Sequence, residues 1–269
     1  MQLTIISKKL DSLTTDEFIH ELRVVHASKT RTMARTLGII TRYIQGLRLP
    51  PANTTLLRYL PIQATDPSVD SMAQLTWPSL TVLQGALSTD AYLKSAGSHV
   101  FALPVKVYVT EKISPDPEPA NERDFHNGVR VVVGLSPLSQ QTFPQAWSEH
   151  AAFCHSICPQ YQRHRLIPLD AKKVHAVFGH TQFTPKTVVV GSGGYEDFVF
   201  RSLADAEAFF EDYGADIRAS YARFVDQERS FSYVFDNGVQ YCPAERGVRE
   251  VIVGVFVGLV LTVEVVLNL

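Results

Sequence analysis

The stretch FIHELRVVHA at residues 18–27 returns, altered but in the same order, as FPQAWSEHAA at residues 143–152. Phe18, Leu22 and His26 correspond to Phe143, Trp147 and, one position early, His150. Further along, Tyr43 corresponds to Tyr161, and the pair Asp90-Ala91 to Asp205-Ala206. Matched positions in a fixed order, with a slowly shrinking offset, point to duplication of a small unit.

Around the first stretch, Gln2 to Lys9 is rich in β-branched and aliphatic residues and reads as a strand. Ser12 to Glu17 supplies the hydroxyls and carboxylates that open a helix, on which Phe18, Leu22, Val25 and Met33 fall on or near one face. Ile39 to Leu47 and Leu80 to Gln84 read as the second and third strands, Thr89 to Ala96 as a short helix, and Pro104 to Glu111 as the fourth strand. The connection from Leu49 to Pro78 exceeds the usual loop length and has room for an extra helix or a lid.

Around the second stretch, Val129 to Leu135 reads as a strand, Ser139 to Ile157 as a helix that Pro159 ends, and Tyr161 to Leu169 and Tyr195 to Arg201 as strands. A helical region from Ala204 to about Val225 precedes a last strand, Ser230 to Phe235, before an expected Asp236-Asn237-Gly238 turn. The order βαββαβ, twice, predicts an α+β fold of two ferredoxin-like βαββαβ repeats packed sheet to sheet as an intramolecular α/β barrel. The expected domains are 1–113 and 128–246, joined by a proline-rich, acidic linker at 114–127 and followed by a hydrophobic tail at 247–269.

With 45% apolar residues the chain has the material for buried cores, and 25 basic against 27 acidic residues leave no electrostatic footprint for nucleic acid. The three cysteines, Cys154, Cys158 and Cys242, are an odd number, and the N-terminal MQLTIISKKL lacks the apolar core of a signal peptide. A reduced, cytoplasmic location is the default expectation. The tail is the exception, because Val251 to Val263 is an unbroken run of apolar residues, glycines and one threonine. It is shorter than the roughly 20 residues that span a bilayer. It reads as a segment packed on the body, as a membrane tail anchor, or as a stretch foreign to the natural protein, and contact with a membrane is expected only in the second case.

The phrase Phe18-x3-Leu22-x3-His26-Ala27, followed by Arg42-Tyr43-Ile44-Gln45 on a strand, resembles the EthD-domain family of the dimeric α/β-barrel superfamily. Phe143-x3-Trp147-x2-His150-Ala151 with Tyr161-Gln162-Arg163-His164 resembles it too, as does Gly193-Gly194-Tyr195-Glu196-Asp197-Phe198. The first copy has Leu22 where the family tends to have Trp, and the early His150 is rotated about 100° around its helix. Barrels of this superfamily usually form from two chains, so the resemblance implies a monomeric pseudo-dimer, with a further homodimer left open. It also implies a cofactor-free enzyme acting on small aromatic or polyketide-like substrates by oxidation, decarboxylation, dehydration or cyclisation, loosely an oxidoreductase.

In that framework His26 and His150 are the candidate catalytic groups, since an imidazole shuttles a proton near neutral pH. Tyr43 and Tyr161, on strands expected to line the barrel, are candidate substrate contacts through their phenols. Arg42, His164 and Trp147 complete the substrate set, although strand alternation sends neighbours to opposite faces. His150, Cys154 and Cys158 recur every four residues, but cysteine beside Phe143 and Trp147 reads as core, and no metal is expected. Gly191-Ser192-Gly193-Gly194 follows the strand-like Val188 to Val190 but lacks the helix and Lys-Ser/Thr of a phosphate loop, so it reads as a loop at the barrel mouth. No dinucleotide fingerprint supports a nicotinamide or flavin. The competing reading is a binding module without catalysis that sequesters a hydrophobic ligand.

Overall fold

A computed structural model of the chain describes residues 1–50, 55–62, 68–113, 122–183 and 186–241. Most of the 114–127 linker, Cys242 and the 247–269 tail therefore lie outside the described residues; within the linker, Glu122–Phe125 is a short 3-10 turn.

The first half runs β1 (Gln2–Lys9), α1 (Thr15–His20), a π-helical turn (Glu21–His26), α2 (Ala27–Leu37), β2 (Arg42–Leu47), β3 (Ser71–Thr76), α3 (Leu80–Leu87), α4 (Asp90–Leu93) and β4 (Ala102–Lys112). The second runs β5 (Gly128–Leu135), α5 (Phe143–Ile157), β6 (Tyr161–Leu166), α6 (Ala171–Phe178), β7 (Gly194–Phe200), α7 (Leu203–Tyr221) and β8 (Phe231–Tyr241). Strands follow the order β4-β1-β3-β2 in the first half and β8-β5-β7-β6 in the second, and the two sheets join into one closed eight-stranded barrel. The pairings between named strands are antiparallel.

Three sequence expectations need correction. Leu80 to Gln84 is helix, not strand: Ser79 caps it by accepting from the Val82 amide. The third strand is Ser71–Thr76, inside the long connection. Asp236-Asn237-Gly238 is no turn either, because β8 continues through it to pair with β2. There the Asp236 carboxylate accepts from the Leu47 amide at 2.6 Å and from Arg23, which also donates to the Gln45 carbonyl at 3.0 Å. The barrel seam is thus clamped from the π-helical turn. Elsewhere the local signals act as read: Thr14 and Glu17 form a reciprocal capping box at the start of α1, and α5 ends before Pro159.

Strand alternation divides the interior into two kinds of space. Ile6, Met72, Tyr108, Val132, Leu166, Tyr195, Phe231, Tyr233 and Phe235 point into the barrel and form one apolar cluster. Beside it, Arg130 Nη1 and Gln74 Nε2 donate to Asp197 Oδ2, while Tyr195 meets Thr4 and Gln2. The opposite strand faces bury against helices, in one layer per half. Each layer also receives the other half's connection. Leu56, Leu60 and Ile62 of the first half pack into the α5/α7 layer, while Val174, Val177, Phe178 and Phe183 of the second pack onto the α2/α3 layer.

Candidate functional site

The π-helical turn decides where His26 points. The Ala27 amide reaches back to the Leu22 carbonyl, five residues away, which widens the helix by one residue. Gln45 on β2 holds the widened turn by donating from Nε2 to the same carbonyl at 2.8 Å, and also donates to the Tyr43 hydroxyl at 2.5 Å. His26 is thereby set against Phe101, with ring centroids 4.9 Å apart, and near His99 at 5.9 Å with rings nearly parallel. His99 Nε2 in turn lies 2.8 Å from Glu21 Oε2.

His26 borders a cavity of about 80 Å³ between the first sheet and its helices. Leu3, Ile5, Met33, Leu75 and Phe101 supply apolar wall, Trp77 and Tyr92 add aromatic surface, and Gln182 and Phe183 reach in from the second half. Among the buried polar atoms on this wall, His26 Nδ1, Trp77 Nε1 and Gln182 Oε1 find no hydrogen-bond partner among the described residues, and neither does Thr30 Oγ1. Burial, with smaller contributions from the positive neighbourhood of His99 and Lys29, pushes the His26 imidazole down to about 4. It is a neutral base at physiological pH. Burial also pushes the Tyr92 phenol up to about 12, so it stays protonated.

The equivalent place in the second half is filled by its own side chains. Glu196 is fully buried on β7 and accepts from the Tyr161 hydroxyl at 2.5 Å, and also from Tyr221 and Trp147. His150 Nε2 lies 3.4 Å from Glu196 Oε2 and 3.2 Å from Cys154 Sγ, with Nδ1 2.9 Å from Ser220 Oγ. Burial alone would raise the Glu196 carboxyl, but the His150 ring and the tyrosine hydroxyls outweigh it and hold it below the ordinary carboxylate range. The Tyr161 and Tyr221 phenols are pushed well up by burial and by that carboxylate. Cys154 and Cys158 are free, buried thiols within this core.

The seven sequence candidates thus fall into three places. His26 borders the open pocket. Tyr43 packs with Ala27, Met33 and Leu83 behind it, and Tyr161 with α5 and α7, so neither tyrosine lines the barrel interior as expected. Trp147 and His150 share the plugged hub with Tyr161. His164 does face the barrel interior, stacked on Tyr195 at 4.6 Å with Nε2 3.3 Å from Asp197 Oδ2, and Arg42 donates there to Gln2 at 3.2 Å. Trp77 and Gln182 went unread in the sequence. Trp77 follows a strand that was placed elsewhere, and Gln182 sits in a connection with no motif.

Among the described residues no helix is long and apolar enough to cross a membrane, and no group of three His, Cys, Asp or Glu side chains is arranged to hold a metal ion.

Fold and pocket together define a dimeric-type α/β barrel built within one chain. A family model of the EthD domain matches residues 10–103, within the first half. The chain is 30% identical over 104 residues to the chalcone isomerase cfoK of Aspergillus candidus, a match spanning 39% of this chain and 39% of that protein. The whole barrel is similar to the crystal structure of an anthrone oxidase-like protein, with a TM-score of 0.52 at 10% identity over 90% of this chain and 96% of that one. At that identity the likeness is one of fold.

Proposed function

We propose that this protein is a small-molecule enzyme that moves a proton on an aromatic or polyketide-like substrate held in the first-half pocket, with His26 as the acid–base group. The observation that carries the reading is that polar atoms of His26, Trp77 and Gln182 are buried without partners in a largely apolar wall. Each unsatisfied buried group costs about 1–3 kcal/mol, so a ligand presenting a matching donor and acceptor is stabilised at this spot. A ring-bearing carbonyl compound has that pattern: its rings pack on Phe101 and Leu75, its oxygen accepts from the Trp77 indole, and a labile proton meets His26.

Among the reactions implied by the resemblance, the likeness to a chalcone isomerase favours cyclisation. In such a reaction His26 takes the proton of a phenolic hydroxyl, and the phenolate oxygen adds to the β-carbon of an enone. The electron pair moves onto the carbonyl oxygen facing Trp77, and the proton returns to the α-carbon. Every atom of the substrate remains in the product. Pockets for drug-sized ligands run to roughly 300–1,000 Å³, so a substrate of two rings enters by displacing wall side chains, of which Met33 is the most adaptable.

The test is turnover of 2′-hydroxychalcone by the full chain, followed by loss of absorbance and by chromatography of the flavanone. Conversion that falls at least about a hundredfold in His26→Asn supports the reading. Full turnover by that variant overturns it. The plugged second half favours one competing view, a module that binds without catalysis, and retention of the chalcone with no conversion would establish that view instead.

A further inference from the structure

A second cavity, of about 400 Å³, opens at the end of the barrel where β5 and β6 finish and β7 and β8 begin. It lies on the other face of the sheet from His26, because its walls are inward-pointing residues of the barrel: Tyr108 and Lys106 on β4, Leu166 on β6 and Phe231 on β8. Its volume falls within the usual range for small-molecule sites, roughly 300–1,000 Å³.

Several features make this end of the barrel a built concavity. A Cβ on Gly134 would sit 2.0 Å from the Phe231 ring, so only glycine at that position lets the ring lie against the β5 backbone and form the floor. The rim segment is tied to the wall on both sides of Val107, which donates to the Thr187 carbonyl and accepts from the Val189 amide, each at 2.8 Å. Gly191 then turns the rim over the opening with φ +113°, a conformation open to glycine. Val190, on this rim, is 53% exposed, an apolar side chain left at the mouth.

The charge of the lining is one-sided. Lys106 and Arg229 border the cavity, and no carboxylate does among the described residues, although the chain carries 27 Asp and Glu against 25 Lys and Arg. Lys106 Nζ stands 4.0 Å from the centroid of Phe231, which brings the cation over the aromatic floor. A concave site lined by one sign of charge concentrates ligands of the other sign, and an aromatic floor favours a flat ring.

We propose that this barrel-end cavity is a second ligand site, separate from the His26 pocket, that binds a ring-bearing organic anion with its charge between Lys106 and Arg229 and its ring on Phe231 and Tyr108. The Tyr108 hydroxyl serves as a neutral donor in that arrangement, its phenol being pushed up by burial and by the neighbouring Tyr233 and Tyr195.

Two fluorescent probes of nearly equal shape test this on the full chain: 8-anilinonaphthalene-1-sulfonate, and its uncharged analogue N-phenyl-1-naphthylamine. The sulfonate should bind one saturable site, and the double variant Lys106→Met with Arg229→Met should weaken it at least about tenfold while leaving the uncharged probe within about twofold. His26→Asn should leave both unchanged. Unaltered sulfonate affinity in the double variant overturns the proposal. Should the double variant lose both probes alike, Arg229→Met alone decides, since Arg229 is exposed and its loss spares the core. A loss of about threefold for the sulfonate alone supports the site, and no change overturns it.

Discussion

Arg130 Nη1 lies 2.8 Å from Asp197 Oδ2 inside the barrel, with the two side chains 1% and 0% exposed. The same carboxylate oxygen accepts from Gln74 of the first half at 3.0 Å, so a single buried anion ties β5 and β7 to β3. Removing one partner strands a buried charge. Asp197→Ala is expected to lose about 3–5 kcal/mol in urea unfolding, and the volume-matched double variant Arg130→Met with Asp197→Leu to lose clearly less. Burial would raise the Asp197 carboxyl, but Arg130, His164 and Gln74 outweigh it and hold the group far below the usual range. A depressed folded value means the stabilisation is present above the unfolded value near 3.9 and is lost as pH falls below it. The wild-type chain should therefore weaken on acidification below about pH 4 by more than the double variant does.

His26 and His150 should fail in different ways. His26 borders a cavity and its Nδ1 has no partner among the described residues, so His26→Asn should lower turnover by about 10²–10⁴ with little change in melting temperature. His150 is fully buried among Glu196, Ser220 and Cys154, and its replacement strips partners from all three. His150→Asn should cost about 1–3 kcal/mol of stability and leave the turnover of the folded fraction unchanged. Thermal melts beside initial rates separate the two.

Acid should inactivate this site late. Because burial, then His99 and Lys29, push the His26 imidazole down to about 4, the base remains unprotonated until pH approaches that value. The acid limb of kcat/KM should fall near pH 4 rather than near the ordinary histidine value of about 6.5. His99→Ala removes one depressing neighbour and should move the limb upward. An unmoved limb in that variant would show that His99 takes no part and that burial and Lys29 set it.

The fold was legible where periodicity and capping agree. The strand at Gln2–Lys9, the capping box of Thr14 and Glu17, and the strand at Gly128–Leu135 follow from local signals that tertiary contacts reinforce. Ser71–Thr76 was missed because the barrel interior here is polar, and inward Gln74 gives the strand no clean alternation of apolar and polar residues. The helix at Leu80–Leu87 was misread because Leu-Thr-Val-Leu looks like a strand until Ser79 is recognised as its cap. At the pocket, the motif pointed to His26, which borders the cavity. It could not show that Glu196 fills the corresponding place in the second half, since a buried carboxylate is recognisable only from the Tyr161, Tyr221 and Trp147 groups that fold around it.

The plugged half still contributes to the open one, and this is testable by kinetics. Gln182 and Phe183 follow α6 of the second half, yet both line the His26 cavity, held there by α6 packing against the α2/α3 layer. Gln182 Oε1 is one of the polar atoms without a partner among the described residues, so a substrate hydroxyl or amide is its natural complement. In the proposed reaction Gln182 takes no part in the proton transfer, so such a contact is made equally in the bound substrate and in the transition state. Uniform binding of this kind appears in KM and leaves kcat alone. Gln182→Ala should therefore raise KM about fivefold to tenfold with kcat unchanged, a loss near the 0.5–1.5 kcal/mol typical of one neutral hydrogen bond. A fall in kcat at constant KM would instead place Gln182 against the reacting atoms, and an unchanged KM would place the substrate elsewhere in the pocket.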